Sequence, residues 1–206
     1  LWETDGKFKS ITSVIDKLFV VAERTINGVT KHYLEKFADT DATTLDASLN
    51  VNNGSATTTF SGFTHLASQQ VAVVSGNYYL GTYTVSSGGV ITIDEANISE
   101  ITAGLNYTPT LKTLPPSSTQ GAAQLTGDPK RIARVILKMR DALGVTVNGT
   151  DLVIRSVTDD LSTQPTAIDA EKEFYILGWN TEPSVTVTQS DPLPLKLLSL
   201  GKEVIF

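Results

Sequence analysis

The chain of 206 residues has no cysteine, one methionine, two histidines and few charged side chains. Without cysteine it forms no disulfide bond, offers no thiolate to a metal ion and has no cysteine nucleophile. Charged residues make up 18% of the chain and aromatic residues 7%, whereas threonine, serine, valine and glycine are abundant. This composition suits short strands and many turns rather than long solvated helices. We therefore expect a mainly β protein.

The chain also lacks a long apolar run. No segment approaches the roughly 18 apolar residues of a membrane-spanning helix, and no signal sequence opens the chain, so we expect no membrane span. The net charge of -6 disfavours a nucleic-acid surface, because phosphate binding needs clustered Lys and Arg. A strand pattern begins within a few residues of Leu1, which leads us to expect a fragment of a longer polypeptide.

A β-hairpin is predicted around Asn27-Gly28, which lies between two runs of β-favouring residues. A type I′ turn needs positive φ at both central residues, and Asn and Gly tolerate it. The register follows from the turn. On one face it pairs Ile26 with Val29, Arg24 with Lys31, Ala22 with Tyr33 and Val20 with Glu35; on the other it pairs Thr25 with Thr30, Glu23 with His32, Val21 with Leu34 and Phe19 with Lys36. Neither face is wholly apolar, so the hairpin needs neighbours.

Turns and composition divide the chain into four predicted segments. Residues 1–40 form an antiparallel meander that is similar to part of a propeller blade, and 41–116, rich in turns, form a small antiparallel β-barrel. Residues 117–127 lack periodicity and large apolar groups, so they form a linker or an exposed loop. Residues 128–206 form a C-terminal β domain of the sandwich type.

Residues 130–144 fit two periodicities. Ile132, Val135, Ile136, Met139 and Leu143 have helical spacing, whereas Ala133, Val135, Leu137 and Met139 alternate with basic residues as in a strand. Periodicity alone slightly favours a helix. The basic residues of this stretch are interpreted as one solvated face.

Exposed aromatic side chains can bind sugars, and the candidates for surface ligand contacts are Tyr78, Tyr79, Tyr83 and Trp179. Alternation along the strand that contains the tyrosines predicts one face with Tyr79, Gly81, Tyr83 and Val85 and the other with Tyr78, Leu80, Thr82 and Thr84. At least one of Tyr78 and Tyr79 then points inward. A glycine within a strand, here Gly81, suggests a bulge or a close backbone approach.

No residue pattern predicts an active site, so we expect that the protein is not an enzyme and binds neither a cofactor nor a metal ion. His32 opposite Glu23 is a polar pair on a solvated face or, alternatively, a pH-sensitive pair. His65 follows a turn without an identified nucleophile. The acidic pairs fit neither a calcium loop nor an identifiable pair of catalytic carboxylates. These pairs are Asp39/Asp41, Asp94-Glu95, Asp159-Asp160 and Asp169/Glu171.

An ordered set of short stretches resembles the tail-nozzle, or tail tubular, proteins of short-tailed bacteriophages. The stretches are Trp2 with 4–8, 20–28 and 33–35; then 60–66 with 71–73; 104–109 with 111–115; and 130–144 with 189–195. They span nearly the whole chain in order, and residues 117–127 depart from the family pattern. The middle segment also resembles the small β-barrel module of ubiquitin-activating enzymes, without a cysteine to carry that chemistry.

The resemblance implies the C-terminal part of a virion protein whose earlier portion is largely β and propeller-like. It implies a structural role in the phage tail, as a homo-oligomeric ring around the DNA exit channel that contacts neighbouring tail, adaptor and fibre proteins. It supplies no catalytic residue and no cofactor. It also favours a strand over a helix at 130–144, and we adopt the strand.

Two other function classes stay open. A carbohydrate-binding or adhesin module is suggested by the turn-rich β pattern and by the four aromatic candidates. A hydrolase of cell-wall polymers rests only on scattered carboxylates.

Overall fold

The computed structural model describes residues 6–37, 44–116, 128–155, 157–160 and 162–205. The structure is 56% strand and 2% helix, which confirms the mainly β class. The helix is a short 3-10 turn at Thr64–Leu66. The strands are β1 Lys7–Val14, β2 Lys17–Ile26, β3 Val29–Lys36, β4 Leu45–Asn52, β5 Thr59–Ser61, β6 Gln70–Ser75, β7 Tyr78–Thr84, β8 Val90–Thr92, β9 Glu100–Asn106, β10 Thr110–Lys112, β11 Arg131–Ala142, β12 Thr146–Val147, β13 Thr150–Asp151, β14 Ile168–Tyr175, β15 Thr186–Thr188 and β16 Lys196–Ile205.

The contacts divide the chain into two compact units. Unit 1 contains Leu1–Tyr107 with Asp191–Leu193, and unit 2 contains Thr108–Ser190 with Pro194–Phe206. The predicted division into segments 1–40, 41–116, 117–127 and 128–206 stays a prediction, and the linker at 117–127 lies outside the described residues.

Unit 1 begins with the meander β1-β2-β3, which confirms the predicted three-stranded sheet. The β2–β3 register agrees with the prediction at all eight pairs, from Ile26 opposite Val29 to Phe19 opposite Lys36. Asn27 and Gly28 have φ of 52° and 74°, as a type I′ turn requires. The backbone conformation of Asn27 and Gly28 therefore determines the register of all eight residue pairs between β2 and β3.

The hairpin finds the neighbours that its faces require within unit 1. Ile26 belongs to the core of this unit, and Tyr33 packs against that core. The turn is held from outside as well, because Nδ2 of Asn27 donates a hydrogen bond of 2.6 Å to the Ala67 carbonyl oxygen. Gln69 donates from its side-chain amide to Oδ1 of Asn27.

The remainder of unit 1 contains a four-stranded sheet of order β4-β9-β6-β7 and a two-stranded sheet, β5-β8. Both are antiparallel, but among the described residues no sheet closes into a barrel. The expected small β-barrel is therefore correct in its antiparallel strands but wrong in one respect, because the described strands do not close into a barrel. Shared burial, rather than a continuous ring of hydrogen bonds, unites these sheets, since Phe60, Ile91, Val73 and Ile101 lie in one core.

A β-bulge in β7 confirms the interpretation of Gly81. Val73 faces Gly81 while Val74 faces Tyr79, so Leu80 is an extra residue, and Gly81 has φ of 116°. The extra residue reverses the alternation beyond it, which overturns the predicted faces. Tyr79 shares a face with Thr82, whose hydroxyl lies 3.0 Å from its own.

Unit 2 has two antiparallel sheets, β14-β11-β16 and β10-β15-β12-β13. Side chains of both sheets form one core, in which Val135 and Leu137 of the first sheet join Val147 and Val187 of the second. Two sheets around one core agree with the expected sandwich-like domain.

Strand β11 confirms the strand at 130–144 and explains why it also fits a helical pattern. Its buried apolar residues are Ile132, Val135, Leu137, Met139 and Ala142. The pairing is irregular between Ile132 and Arg134 and again between Met139 and Ala142. Each irregularity inserts a residue, so spacings of three mix with spacings of two and imitate a helix.

Candidate functional site

A buried arginine lies on the inward face of the meander. Arg24 is 4% exposed, and its guanidinium donates from Nε to Glu35 Oε1 at 2.6 Å and from Nη2 to Glu35 Oε2 at 2.8 Å. Its Nη1 donates to Asp46 Oδ2 at 3.3 Å. The two parallel bonds to Glu35 form the bidentate geometry that makes arginine–carboxylate pairs strong.

Two glycines and a bulge of the backbone accommodate Arg24 and position its partner Asp46. A Cβ added to Gly6 would lie 3.0 Å from Cζ of Arg24, so a side chain there would crowd the guanidinium. Asp46 is presented by a bulge of β4, where Ala47 has φ of 49°. Gly104 allows the bulge to approach, since a Cβ at Gly104 would lie 2.8 Å from the Asp46 carbonyl oxygen.

His65 supports the same bulge. Its Nε2 lies 2.9 Å from the carbonyl oxygen of Ala47, and the Tyr33 hydroxyl donates to the carbonyl oxygen of His65 at 3.4 Å. His65 therefore has a structural role beside the Arg24 cluster, which we define as Arg24, Glu35 and Asp46. This cluster joins the meander to β4.

His32 lies on the solvated face of the hairpin. It is opposite Glu23, with Nε2 at 3.4 Å from Glu23 Oε2, and it is largely exposed. The ammonium of Lys9 lies closer, at 2.8 Å from the same oxygen. The Lys9 hydrogen bond is the first cause that lowers the pKa of Glu23. His32 and Glu23 therefore form a polar pair on the solvated face, and Lys9 also contacts Glu23.

Strand β1 is the most exposed strand of unit 1. All eight of its residues are exposed, although it is paired along one side with β2. Phe8, Ile11 and Val14 leave apolar surface in solvent, and the adjoining turn adds Ile15, which is 87% exposed and has φ of 44°. Positive φ at a β-branched residue is a true outlier.

The three tyrosine candidates do not form one aromatic surface. Tyr83 packs against the core of unit 1, donates to the Leu80 carbonyl oxygen at 3.2 Å and lies 3.4 Å from Glu95 Oε2. Burial is the main cause that raises the pKa of Tyr83. Tyr79 lies on the opposite face of β7, and both Tyr78 and Tyr79 are half-buried.

Trp179 belongs to unit 2, whereas the three tyrosines belong to unit 1. It is 56% exposed and precedes Asn180, whose backbone forms an isolated bridge with Lys130. The proposed ligand contacts of these four residues stay a prediction.

A different set of side chains comes together on the outward face of β14-β11-β16. The register places them in three rows. We call the following set the Arg134 face: Tyr175, Arg134 and Glu203 in the first row, Glu173, Ile136 and Gly201 in the second, and Glu171, Lys138 and Ser199 in the third. It lies opposite Val135 and Leu137, which are fully buried.

Arg134 connects all three strands of this face. Its Nε donates to Glu203 Oε2 and its Nη1 to Glu173 Oε1, both at 2.9 Å. The Tyr175 hydroxyl donates to Glu173 Oε2 at 3.0 Å. Arg134 of the central strand, Glu203 of β16, and Glu173 and Tyr175 of β14 therefore form one hydrogen-bonded network. The bonds hold the four side chains in a fixed orientation.

The protonation states of the network follow from these bonds. The Tyr175 hydrogen bond, and then the Arg134 hydrogen bond, lower the pKa of Glu173. The same bonds raise the pKa of Tyr175 and of Arg134, each chiefly through Glu173. Near neutral pH the network therefore contains a charged Arg134 guanidinium, a charged Glu173 carboxylate and a neutral Tyr175 phenol.

Sequence reasoning missed this face. It identified the solvated side of 130–144, which contains Arg134 and Lys138, but not the strands that would lie beside it. The alternation of Glu171, Glu173 and Tyr175 along β14 is a usable signal. It becomes informative only once β14 is paired with β11.

Among the described residues, no three His, Asp or Glu side chains converge on a potential metal site. No helix in the described part of the chain has the length and apolar character that a membrane crossing needs. No protein-family model matches the chain. No curated protein matches it either.

Proposed function

We propose that this chain is a structural component of a bacteriophage tail, part of a nozzle or tube that surrounds the DNA exit channel. In this proposal it acts through contacts with other copies of the full-length protein and with neighbouring adaptor and fibre proteins. It catalyses no reaction and needs no cofactor. The ordered resemblance to tail-nozzle proteins is the first support for this proposal.

Strand β1 is the structural observation that carries the proposal. One side of an edge strand presents unpaired backbone N–H and C=O groups, which other polypeptides can bind. The two edges of the meander differ in where their charges lie. The charged residues of β3 reach its end, at Lys31, Glu35 and Lys36, whereas those of β1 are Lys7 and Lys9 at its beginning, and its remainder from Ser10 to Val14 is uncharged. Edge charges oppose association, so β1 is the edge suited to a protein contact.

The interior of unit 1 also holds the meander in place. Within the Arg24 cluster, the hydrogen bonds to Glu35 link β2 to β3 inside the meander. The bond of 3.3 Å from Nη1 of Arg24 to Asp46 connects the meander to β4 of the following sheet. The net charge of -6 further agrees with a channel wall that does not hold DNA tightly.

The proposal is tested by imaging purified virions with a label on this polypeptide. We expect the label in the tail, at the end through which DNA leaves. Absence of the polypeptide from the tail would contradict the proposal.

The role of β1 is tested in the same virions by paired variants. Ile11→Lys places a charge on the exposed edge strand, and Leu34→Lys places one on β3, where the leucine is 74% exposed. We expect Ile11→Lys to reduce incorporation into tails and Leu34→Lys to leave it nearly unchanged. Equal incorporation of both variants would remove β1 from the proposal.

A further inference from the structure

We propose that the Arg134 face binds one ring of a neutral saccharide, seated over Ile136 and Gly201. This inference goes beyond the proposed structural function and does not depend on it. It rests on a glycine that the fold does not require, on unused hydrogen-bonding atoms, and on an exposed aromatic ring.

Gly201 leaves a shallow hollow beside Ile136. Glycine within a strand is destabilising relative to alanine, and it usually reflects positive φ or crowding. Gly201 shows neither, because its φ is not positive and an added Cβ would lie 3.8 Å from Cβ of Ile136, an ordinary contact. We therefore explain the glycine by the space that it leaves open, which lets another molecule approach the strand closely.

The surface over Ile136 and Gly201 matches one sugar ring in scale. Neighbouring strands lie about 4.8 Å apart, and alternate residues of a strand lie about 6.8 Å apart. Ile136 and Gly201 are directly opposite each other in the register, so a single pyranose is wide enough to cover both. The C–H groups of one sugar face would contact the Ile136 side chain.

Arg134 and Glu203 offer a donor and an acceptor beside this hollow. Arg134 uses Nε and Nη1 in its bonds, and Glu203 uses Oε2. Within the described residues, Nη2 of Arg134 and Oε1 of Glu203 make no hydrogen bond. A sugar hydroxyl both accepts and donates, so two adjacent hydroxyls can accept from Nη2 and donate to Oε1. Both bonds are charge-assisted.

Tyr175 supplies the apolar wall next to these polar atoms. Tyr175 is 73% exposed, and its hydroxyl is held by Glu173. A ring whose polar end is already bonded presents its face without further loss of freedom, and such pre-organisation reduces the cost of binding.

The charge of the face selects among saccharides. Two cations, Arg134 and Lys138, stand against three carboxylates, Glu171, Glu173 and Glu203, so the sum is 2 − 3 = −1. This excess disfavours uronic acids and other anionic sugars through like-charge repulsion. A neutral sugar meets no such penalty.

The test is an NMR titration of the whole chain with cellobiose, maltose, N-acetylglucosamine dimers and galacturonic acid dimers. We expect shifts of the Ile136 and Gly201 amide signals with at least one neutral sugar, with a dissociation constant in the millimolar range that is usual for so small a contact. We expect no comparable shifts with the galacturonic acid dimer.

Three variants locate the site. Gly201→Val fills the hollow with a β-favouring residue, so the fold should be retained while affinity falls at least about tenfold. Tyr175→Ala should weaken binding similarly, whereas the matched change Tyr79→Ala in unit 1 should not. If Gly201→Val disturbs the amide spectrum, Tyr175→Ala decides the outcome.

Three results would overturn the inference: no neutral sugar shifts these signals, the acidic dimer binds as well as the neutral ones, or both unit 2 variants retain full affinity. A loss of sugar binding leaves the tail location of the polypeptide untouched. Failure of this proposal is therefore distinguishable from failure of the proposed function.

Discussion

Arg24 in unit 1 and Arg134 in unit 2 are each held by two carboxylates, yet their surroundings differ. The side chain of Arg24 is 2% exposed, whereas that of Arg134 is 35% exposed. Removing one partner of a buried ion pair leaves an uncompensated charge, while exposed ions are hydrated when separated. The same contact therefore has a structural role inside unit 1 and leaves atoms available for binding on unit 2.

The largest effect is expected for Arg24→Met, which keeps much of the apolar volume and leaves two carboxylates without their cation. We expect a loss of about 3–5 kcal/mol in the free energy of unfolding of unit 1, measured by urea denaturation followed through the β2 amide signals. Lys31→Met is the matched control, because Lys31 is opposite Arg24 but exposed. Equal stability of both variants would show that burial does not make Arg24 more important to stability than the exposed Lys31.

A smaller loss is expected for Asp46→Asn. The longer contact of 3.3 Å loses its charge, but the bidentate pair with Glu35 stays intact. We expect about 1–3 kcal/mol, the range for hydrogen bonds that involve a charged group, in the same urea experiment. Asp16→Asn, in the exposed turn before β2, serves as the control. A loss as large as that of Arg24→Met would show that Asp46, not Glu35, dominates the cluster.

The network of unit 2 is expected to respond in its titration. Tyr175→Phe removes the hydrogen bond that contributes most to the lowered pKa of Glu173, so this pKa should rise toward the usual 4.5. The folded-state pKa lies below the unfolded one, so the stabilisation is present above the unfolded pKa and is lost as pH falls through the folded pKa. Carbon-detected NMR of the Glu173 carboxyl measures the shift.

Tyr79→Phe is the control for that titration, because Tyr79 belongs to unit 1 and bonds Thr82. An unchanged Glu173 pKa in Tyr175→Phe would show that the phenol does not hold the carboxylate in solution.

The smallest effect is expected for Arg134→Met. Glu173 and Glu203 are 41% and 53% exposed, so water solvates both carboxylates once the guanidinium is gone. We expect a melting temperature within experimental error of the unchanged chain, measured by differential scanning calorimetry. A drop comparable to that of Arg24→Met would contradict the distinction between the two arginines.

The contrast between the arginines was not predictable from local sequence. The Asn27-Gly28 turn correctly predicted that Arg24 faces Lys31 and shares a face with Val20 and Ala22. It did not predict that this face would be buried. Burial required the bulge of β4, which depends on Ala47 at positive φ and on Gly104, more than fifty residues further along the chain.

Bulges limited the prediction of faces in both units. Gly81 indicated its bulge already in the sequence, because a glycine within a strand weakens the strand and often marks a bulge. Ala133 and Asp141, which lie within the two irregularities of β11, gave no such signal, although Asp141 adopts φ of 50° in the structure. Its strain is accompanied by a backbone bond to Asp169 and by a side-chain bond to Lys196 at 2.7 Å, both from distant strands.

Local sequence was enough to predict the β class, the tight hairpin turn and its register, because turn chemistry and alternation act between residues close in the chain. The burial of particular polar residues and the order of neighbouring strands became known from the three-dimensional structure alone. Those outcomes depend on contacts between residues tens of positions apart. Arg24 became an internal connection and Arg134 an outward-facing group for this reason.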